Sequence, residues 1–321
     1  MKDISWRKEA DYVMENLETI FLNYKTALKR TAPKSFYSEQ NGCLFHGDSL
    51  QVLKKIRDSS VDMIFADPPY SIKKEDWDTF QSQEEYIKFS VKWIKEASRI
   101  LKDKGTLYIC GFSEILADIH HPAMKYFYNC RWIIWHYKNK ANLGKDWGRS
   151  HESILCLRKS KKHTMNIDAI RIPYNSHTLK YPSHPQAETS QYGNGKKRDN
   201  WTPNPLGAKP KDVIEIPTTC NGMGEKTPHP TQKPEELLRK IILASSNEND
   251  IVLDPFVGSG TTAVCAKQLN RQFIGIEQNG EYLDWAVNRL KTVQEKTIQE
   301  WIEYDKAIVA RRETIRCSQV F

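Results

Sequence analysis

The chain has 321 residues, 39% hydrophobic and 27% charged, enough for one large α/β core, alone or with an insertion. No run approaches the roughly 20 apolar residues of a membrane span, and the opening MKDISWRKEAD has no apolar signal-peptide core, so a cytoplasmic, non-membrane protein is expected. The net charge of +8 is localised: Lys138–Lys226 holds 16 Lys+Arg against 8 Asp+Glu, leaving 32 of each sign elsewhere, which fits either a polyanion-binding surface or a solvated basic loop.

Residues 1–40 read as a helical extension, with Val13, Leu17, Ile20 and Phe21 on one face. Cys43–His46 is a short strand, and Ser49–Arg57 a helix with Leu50, Leu53 and Ile56 on one side. Val61–Ala66 is a continuous apolar strand, the pattern of burial on both faces. A long helix is predicted over about 83–101. It opens on the capping box Ser82-x-x-Glu85 and repeats Tyr86, Phe89, Trp93, Ala97 and Ile100. Thr106–Cys110 is the next strand, and Arg131–Tyr137 and Ser153–Leu157 can pair antiparallel.

Regularity then fades until about Glu225, a stretch too long for an ordinary connection and so read as a functional insertion or a partly disordered segment. Pro234 suits the first turn of a helix carrying Leu237, Leu238, Ile241 and Ile242. Strand Ile251–Leu253, helix Thr261–Leu269, strand Phe273–Ile276 and helix Glu281–Val293 follow, then a charged helical tail. This alternation predicts an α/β fold with a doubly wound, mostly parallel sheet. The expected division is an extension 1–40, two domain halves 41–137 and 227–293 around a basic insertion 138–226, and a tail 294–321.

Two loops carry chemistry. Asp254-Pro-Phe-Val-Gly-Ser-Gly260 joins a strand to a helix opening at Thr261, where glycines admit a ligand to the backbone and the helix N-terminus favours an anion. Glu277 ends the following strand, where an acid can take two ribose hydroxyls. By itself this loop indicates an adenosine-containing cofactor or a tight structural turn, and Gly258-x-Gly260-x-x-Ala263 also satisfies a relaxed dinucleotide fingerprint. Asp67-Pro68-Pro69-Tyr70 directly follows the buried strand, at the sheet edge where ligands sit. Two prolines hold a rigid backbone with free carbonyls, Asp67 adds an acceptor and Tyr70 a flat face, which suits an extruded base presenting an amino group. The plain alternative is a strand-terminating turn.

Together these motifs resemble the amino-methyltransferases of bacterial restriction–modification systems, in the permuted group whose catalytic motif precedes the cofactor motif. The resemblance covers roughly residues 43–293. Asp67-Pro-Pro-Tyr70 matches the catalytic motif in its adenine form, whereas cytosine-N4 enzymes usually begin it with Ser. The loop with Asp254, Phe256, Gly258, Ser259, Gly260 and Thr261 matches the S-adenosylmethionine loop. His229-Pro-Thr-Gln-Lys-Pro234 matches the segment contacting the methionine carboxylate, through His229, Thr231 and Lys233. His46-Gly-Asp-Ser49 matches the strand end reaching the cofactor adenine, through Asp48. The resemblance implies an adenine-N6 DNA methyltransferase acting on double-stranded DNA. A cognate restriction endonuclease and a homodimer are candidate further partners.

Several residues keep two readings. Phe256 packs on the cofactor or in the core, and Lys233 contacts the cofactor or is a solvated helix-start lysine. Glu152 and His151 line a DNA cleft or salt-bridge a hairpin, and Trp132, Trp135 and Tyr137 read as core. Lys73, Lys74 and Asp76 suit a loop over the site. Lys196, Lys197 and Arg198 are the candidate phosphate contacts of the insertion. Seven cysteines, Cys43, Cys110, Cys130, Cys156, Cys220, Cys265 and Cys317, show no zinc-ligand spacing, and no metal is expected. The competing classes are a nicotinamide dehydrogenase, a non-catalytic DNA-binding regulator on the same fold and, within the class, a cytosine-N4 enzyme.

Overall fold

The computed structural model describes residues 23–70, 80–140, 145–182, 184–185, 200–294 and 296–318. A short helix α1 (Asn23–Ala27) precedes a hairpin of β1 (Tyr37–Glu39) and β2 (Gly42–His46). Next come α2 (Ser49–Leu53), β3 (Val61–Ala66), α3 (Gln83–Ile100), β4 (Leu101–Gly111), α4 (Ser113–Ala123), β5 (Asn129–His136) and β6 (His151–Arg158). The middle of the chain holds α5 (Ser176–Lys180), the two-residue strands β7 (His184–Pro185) and β8 (Asn200–Trp201), and β9 (Val213–Glu215). The last part is α6 (Glu235–Ser245), β10 (Ile251–Asp254), α7 (Thr261–Gln268), β11 (Gln272–Glu277), α8 (Gly280–Lys291) and α9 (Ile298–Ser318).

Nine strands form one sheet in the order β1-β2-β11-β10-β3-β4-β6-β5-β9. From β2 to β4 the neighbours run parallel, whereas β6 is antiparallel to both β4 and β5. Successive strand residues point to opposite faces, and both faces are covered. Ile64 and Ala66 of β3 join Trp93, Ile94 and Ala97 of α3. Met63 and Phe65 join Leu237 of α6, Ala263 of α7 and Leu283 of α8 on the other side. That two-sided burial is why β3 reads as an unbroken apolar run. Among the described residues no helix is long and apolar enough to cross a membrane.

The chain departs from its sequence expectations at several places. Within the expected extension 1–40, residues 37–39 form a strand paired with β2, and residues 1–22 lie outside the described ones. Helix α2 stops at Leu53, because Ile56 instead bridges Leu28 and is fully buried there. Helix α4 carries Pro122 in its last turn and has no side-chain cap, so it lacks the signals that announce helices. Strands β6 and β9 come from within residues 138–226 and extend the same sheet.

The topology selects one sheet edge. Strands β2, β11, β10, β3 and β4 end there, bringing Asp48, Glu277, Asp254 and Asp67 to neighbouring positions. Because β6 runs the other way, with Ser153 opposite Gly111, its first residues His151 and Glu152 arrive on the same edge. The winding reverses between β3 and β10, whose chains leave toward opposite faces, and a ligand crevice is expected at that point.

Candidate active site

The loop after β10 is held from within. Asp254, 4% exposed, accepts the Phe256 amide at 2.9 Å and the Thr262 hydroxyl at 2.5 Å. It thereby ties the loop to the first turn of α7. Gly258 and Gly260 have φ of 50° and 85°, the left-handed region that disfavours side chains. A Cβ at Gly258 would lie 2.9 Å from His229 Nε2, and one at Gly260 2.6 Å from Ala286 Cβ. The first glycine opens the cradle under His229, and the second lets α7 pack on α8.

Around the cradle, Glu277 accepts the Gly258 amide on one oxygen and the Gln278 and Asn279 amides on the other, all at 2.9 Å. A carboxylate has about four acceptor positions, so capacity remains for a hydroxyl. Asp48 caps α2 by accepting the Gln51 amide at 2.9 Å, and the Gly47 amide donates to the Glu277 carbonyl at 2.9 Å. The His229 ring stands edge-on to Tyr282 with centroids 4.5 Å apart, and its Nδ1 accepts the Thr231 amide at 3.3 Å. Phe256 lies edge-on to Trp93 at 5.4 Å, packed against the core at the rim of the cavity. That cavity is also bordered by Asp67, His229, Thr231, Lys233, Gly258, Ser259 and Thr261. A cradle that only glycine permits, a helix N-terminus and an acid at the next strand end fit an adenosyl amino acid, whose carboxylate the helix N-terminus would favour and whose ribose hydroxyls Glu277 would accept.

Arg289, which the sequence did not single out, braces this loop. It donates to the Ser259 carbonyl and the Thr261 hydroxyl, both at 2.9 Å, and pairs with Glu235 at 2.8 Å.

Asp254 also makes a pH prediction. Burial pushes its carboxyl up from 3.8 to about 7, despite the Thr262 and Phe256 hydrogen bonds that favour the charge. A folded pKa above the unfolded one gives stability that is present at low pH and lost as pH rises toward the folded value. The stability of the wild type minus that of Asp254→Asn should therefore fall between about pH 4 and 7 and level off above. Urea unfolding across that range checks it, and a difference independent of pH would mean the carboxyl is ionised throughout.

On the β3 side of the crevice lies a compact polar cluster. Lys233, 6% exposed, donates to Asp67 Oδ2 at 2.7 Å and stands 3.3 Å from Glu152 Oε2. The Tyr70 hydroxyl donates to Asp67 Oδ1 and lies 3.2 Å from Glu152 Oε2. The Cys110 thiol donates to Glu152 at 3.5 Å. Trp135, fully buried with its indole N–H on the Ile216 carbonyl, walls the cluster 5.9 Å from the Lys233 ammonium. Its burial agrees with the core reading, as does that of Tyr137.

Two carboxylates here share one cation. Burial raises the Asp67 carboxyl above its usual range, with Lys233 pulling the other way. Burial also works upward on Glu152, but Lys233 and then Lys140 bring it below the usual range. Burial disfavours the Lys233 charge, yet Asp67 and Glu152 outweigh it and hold the ammonium above the ordinary lysine range. Asp67, Cys110 and Glu152 bring ligand atoms within 4.8 Å of one another, and the Lys233 ammonium stands in their midst as the balancing positive charge.

Three placements refine the sequence expectations. Lys233 is not a solvated helix-start lysine, because its ammonium sits on Asp67. Tyr70 is 9% exposed and its hydroxyl is engaged by Asp67, so it is a hydrogen-bonding wall as well as an aromatic face. Glu152 does salt-bridge, but to Lys233 from another part of the chain. Lys73, Lys74, Asp76, Lys196, Lys197 and Arg198 lie outside the described residues.

The model of the family described as DNA methylase matches residues 61–288. The chain belongs to the DNA methylase family. It is 38% identical over 242 residues to the Type II methyltransferase M1.MboII of Moraxella bovis, covering 73% of this chain and 90% of that protein. It is also 38% identical over 270 residues to the DNA adenine methyltransferase YhdJ of Escherichia coli (strain K12), covering 82% and 87%. The crystal structure of the M1.HpyAVI–SAM complex matches with a TM-score of 0.52 at 26% identity, over 77% of this chain and 98% of that one. The cytosine-N4-specific PvuII DNA methyltransferase shares the fold, with a TM-score of 0.62 at 17% identity over 85% and 94%. The protein is thus an S-adenosylmethionine-dependent DNA methyltransferase of the restriction–modification type, in the class that methylates exocyclic amino groups.

Proposed function

We propose that the enzyme transfers the methyl group to N6 of adenine in double-stranded DNA, as the modification partner of a restriction endonuclease. The observation that carries this reading is an aspartate, not a serine, at the head of the Asp67–Tyr70 motif, beside the cofactor cradle at the sheet's switch point. Relatives named as Type II and adenine methyltransferases support it.

The chemistry follows from an amine that is a poor nucleophile, because its lone pair is delocalised into the ring. The Asp67 carboxylate and the Pro68 carbonyl accept its two N–H groups, favouring a tetrahedral nitrogen with its lone pair directed away from them. S-adenosylmethionine supplies an electrophilic methyl group on sulfonium. Acceptors that bind the attacking geometry better than the planar ground state lower the barrier. As the N–CH3 bond forms the S–CH3 bond would break, its electron pair staying on sulfur as a neutral thioether; the nitrogen gains positive charge and releases one proton, and Asp67 is the adjacent base. The Tyr70 hydroxyl must first give up Asp67 Oδ1, and Glu152, 3.2 Å from it, is the acceptor to which it transfers.

Unmethylated DNA incubated with enzyme and labelled cofactor, then hydrolysed to nucleosides, tests this reading by mass spectrometry. The expected product is N6-methyldeoxyadenosine, and N4-methyldeoxycytidine would overturn it. The phosphate-contact role of Lys196, Lys197 and Arg198 rests on the localised charge surplus. Their replacement by Gln should weaken binding to every sequence and flatten the salt dependence, by about 0.9 log unit for each phosphate no longer neutralised. DNA affinity across several salt concentrations reads this directly, and superimposable slopes would assign the three charges to a solvated loop.

A further inference from the structure

Trp147 is 97% exposed, the most exposed large apolar side chain among the described residues. Its position is defined by its neighbour: Arg149 lays its guanidinium carbon 3.7 Å over the Phe112 ring and pairs with Glu114 at 2.7 Å. Phe112 stands edge-on to Tyr70 with centroids 5.0 Å apart, and Tyr70 donates to Asp67. Two residues of chain reach at most about 7 Å, so the Trp147 backbone belongs to the short segment that Arg149 anchors to Phe112, the ring against Tyr70. The Trp147 amide donates to Asp146 Oδ1 at 2.7 Å, fixing the local turn. Around it, residues 138–149 carry Lys138, Lys140, Lys145 and Arg149 against a single acid, Asp146.

We propose that Trp147 is a wedge that enters the DNA stack at the target base pair and fills the space the extruded base leaves. This inference rests on the proposed reaction at Asp67. A base inside the duplex cannot reach that carboxylate, so it must turn out of the stack, which leaves its neighbours without a stacking partner. A flat, exposed aromatic ring on the segment anchored to the pocket wall replaces that partner, as apolar side chains do when they enter base steps. Lys145, two residues before it, supplies a positive charge for a phosphate flanking the extruded nucleotide, while Arg149 is held on Glu114 and Phe112. The stacking of Arg149 on Phe112 couples the wedge to the pocket wall.

The test compares wild type, Trp147→Ala and Trp147→Phe on two duplexes, one with the target base paired and one with an abasic site opposite it. Trp147→Ala should lose about tenfold or more in kcat/KM on the paired duplex, and less than about threefold where no pair has to be broken. Trp147→Phe should keep most of the activity, and S-adenosylmethionine affinity by calorimetry should be unchanged in both variants. Equal losses on the two duplexes, or no loss on either, would overturn the wedge. If Trp147→Ala fails to bind the cofactor, Trp147→Leu on the same duplexes decides. Failure of the underlying reaction is distinct, since wild type would then form no N6-methyldeoxyadenosine on either duplex.

Discussion

Asp67→Ala should lower methyl transfer by about 10²–10³-fold, the usual loss on removing one preorganised polar partner of a transition state. The affinity for S-adenosylmethionine should stay close to that of the wild type. The charge arithmetic of the cluster explains why the fold survives. Asp67, Glu152 and Lys233 together carry one net negative charge, so removing Asp67 leaves a matched pair, with Lys233 still 3.3 Å from Glu152. The variant does not strand a buried charge, the situation that makes breaking a buried pair so costly. Asp67→Asn should not restore activity, because the amide has one oxygen to accept and an NH2 group that confronts the amine's own N–H. Transfer of labelled methyl groups to DNA, with calorimetry of cofactor binding alongside, measures both halves. Near-normal transfer by Asp67→Ala would remove this carboxylate from the chemistry.

The parts of this site that can be read from the sequence are those built from consecutive residues. Asp67–Tyr70 and Asp254–Thr261 each span a strand end and its turn, so spacing alone places their chemistry. Glu277 is readable for the same reason, as the end of the next strand. Glu152 is different. Its partners Lys233, Tyr70 and Cys110 come from α6's approach, β3's exit and β4, and they meet only because β6 inserts antiparallel beside β4. The one signal was an acid directly before the wholly buried run Ser153–Leu157, on a hairpin that had to be added to the sheet before its edge was known. Lys233 was legible as a candidate contact, but its pairing with Asp67 and Glu152 was not, because helical periodicity assigns a residue to a face, not to a distant carboxylate. Arg289 sits on the exposed-looking side of an amphipathic helix, and only the packing of α8 behind α7 turns it toward Ser259 and Thr261. Pro122 hid α4 outright.

Gly258→Val should abolish S-adenosylmethionine binding while leaving the protein folded, and Gly258→Ala should weaken it substantially. Two costs combine at this position. At φ of 50° any side chain is strained, and a β-branched one most of all; holding such a residue in this conformation costs on the order of 1–3 kcal/mol, or roughly 5- to 150-fold in affinity if expressed there. The added Cβ would also stand 2.9 Å from His229 Nε2. His229 has little room to yield, because its ring abuts Tyr282 at 4.5 Å and its Nδ1 holds the Thr231 amide. The loop must move instead, and its first casualty is the Gly258 amide on Glu277, the bond that links the cradle to the acid ending β11. Gly258 is itself buried beside Val257, so the thermal midpoint should fall too, and the affinity is read on the protein that remains folded. Gly224→Ala is the matched control: an added Cβ there meets nothing within 4 Å, and both affinity and stability should hold. Calorimetry with S-adenosylmethionine on the three variants, paired with thermal unfolding, separates the outcomes. Wild-type affinity in a folded Gly258→Val protein would place the cofactor away from this loop.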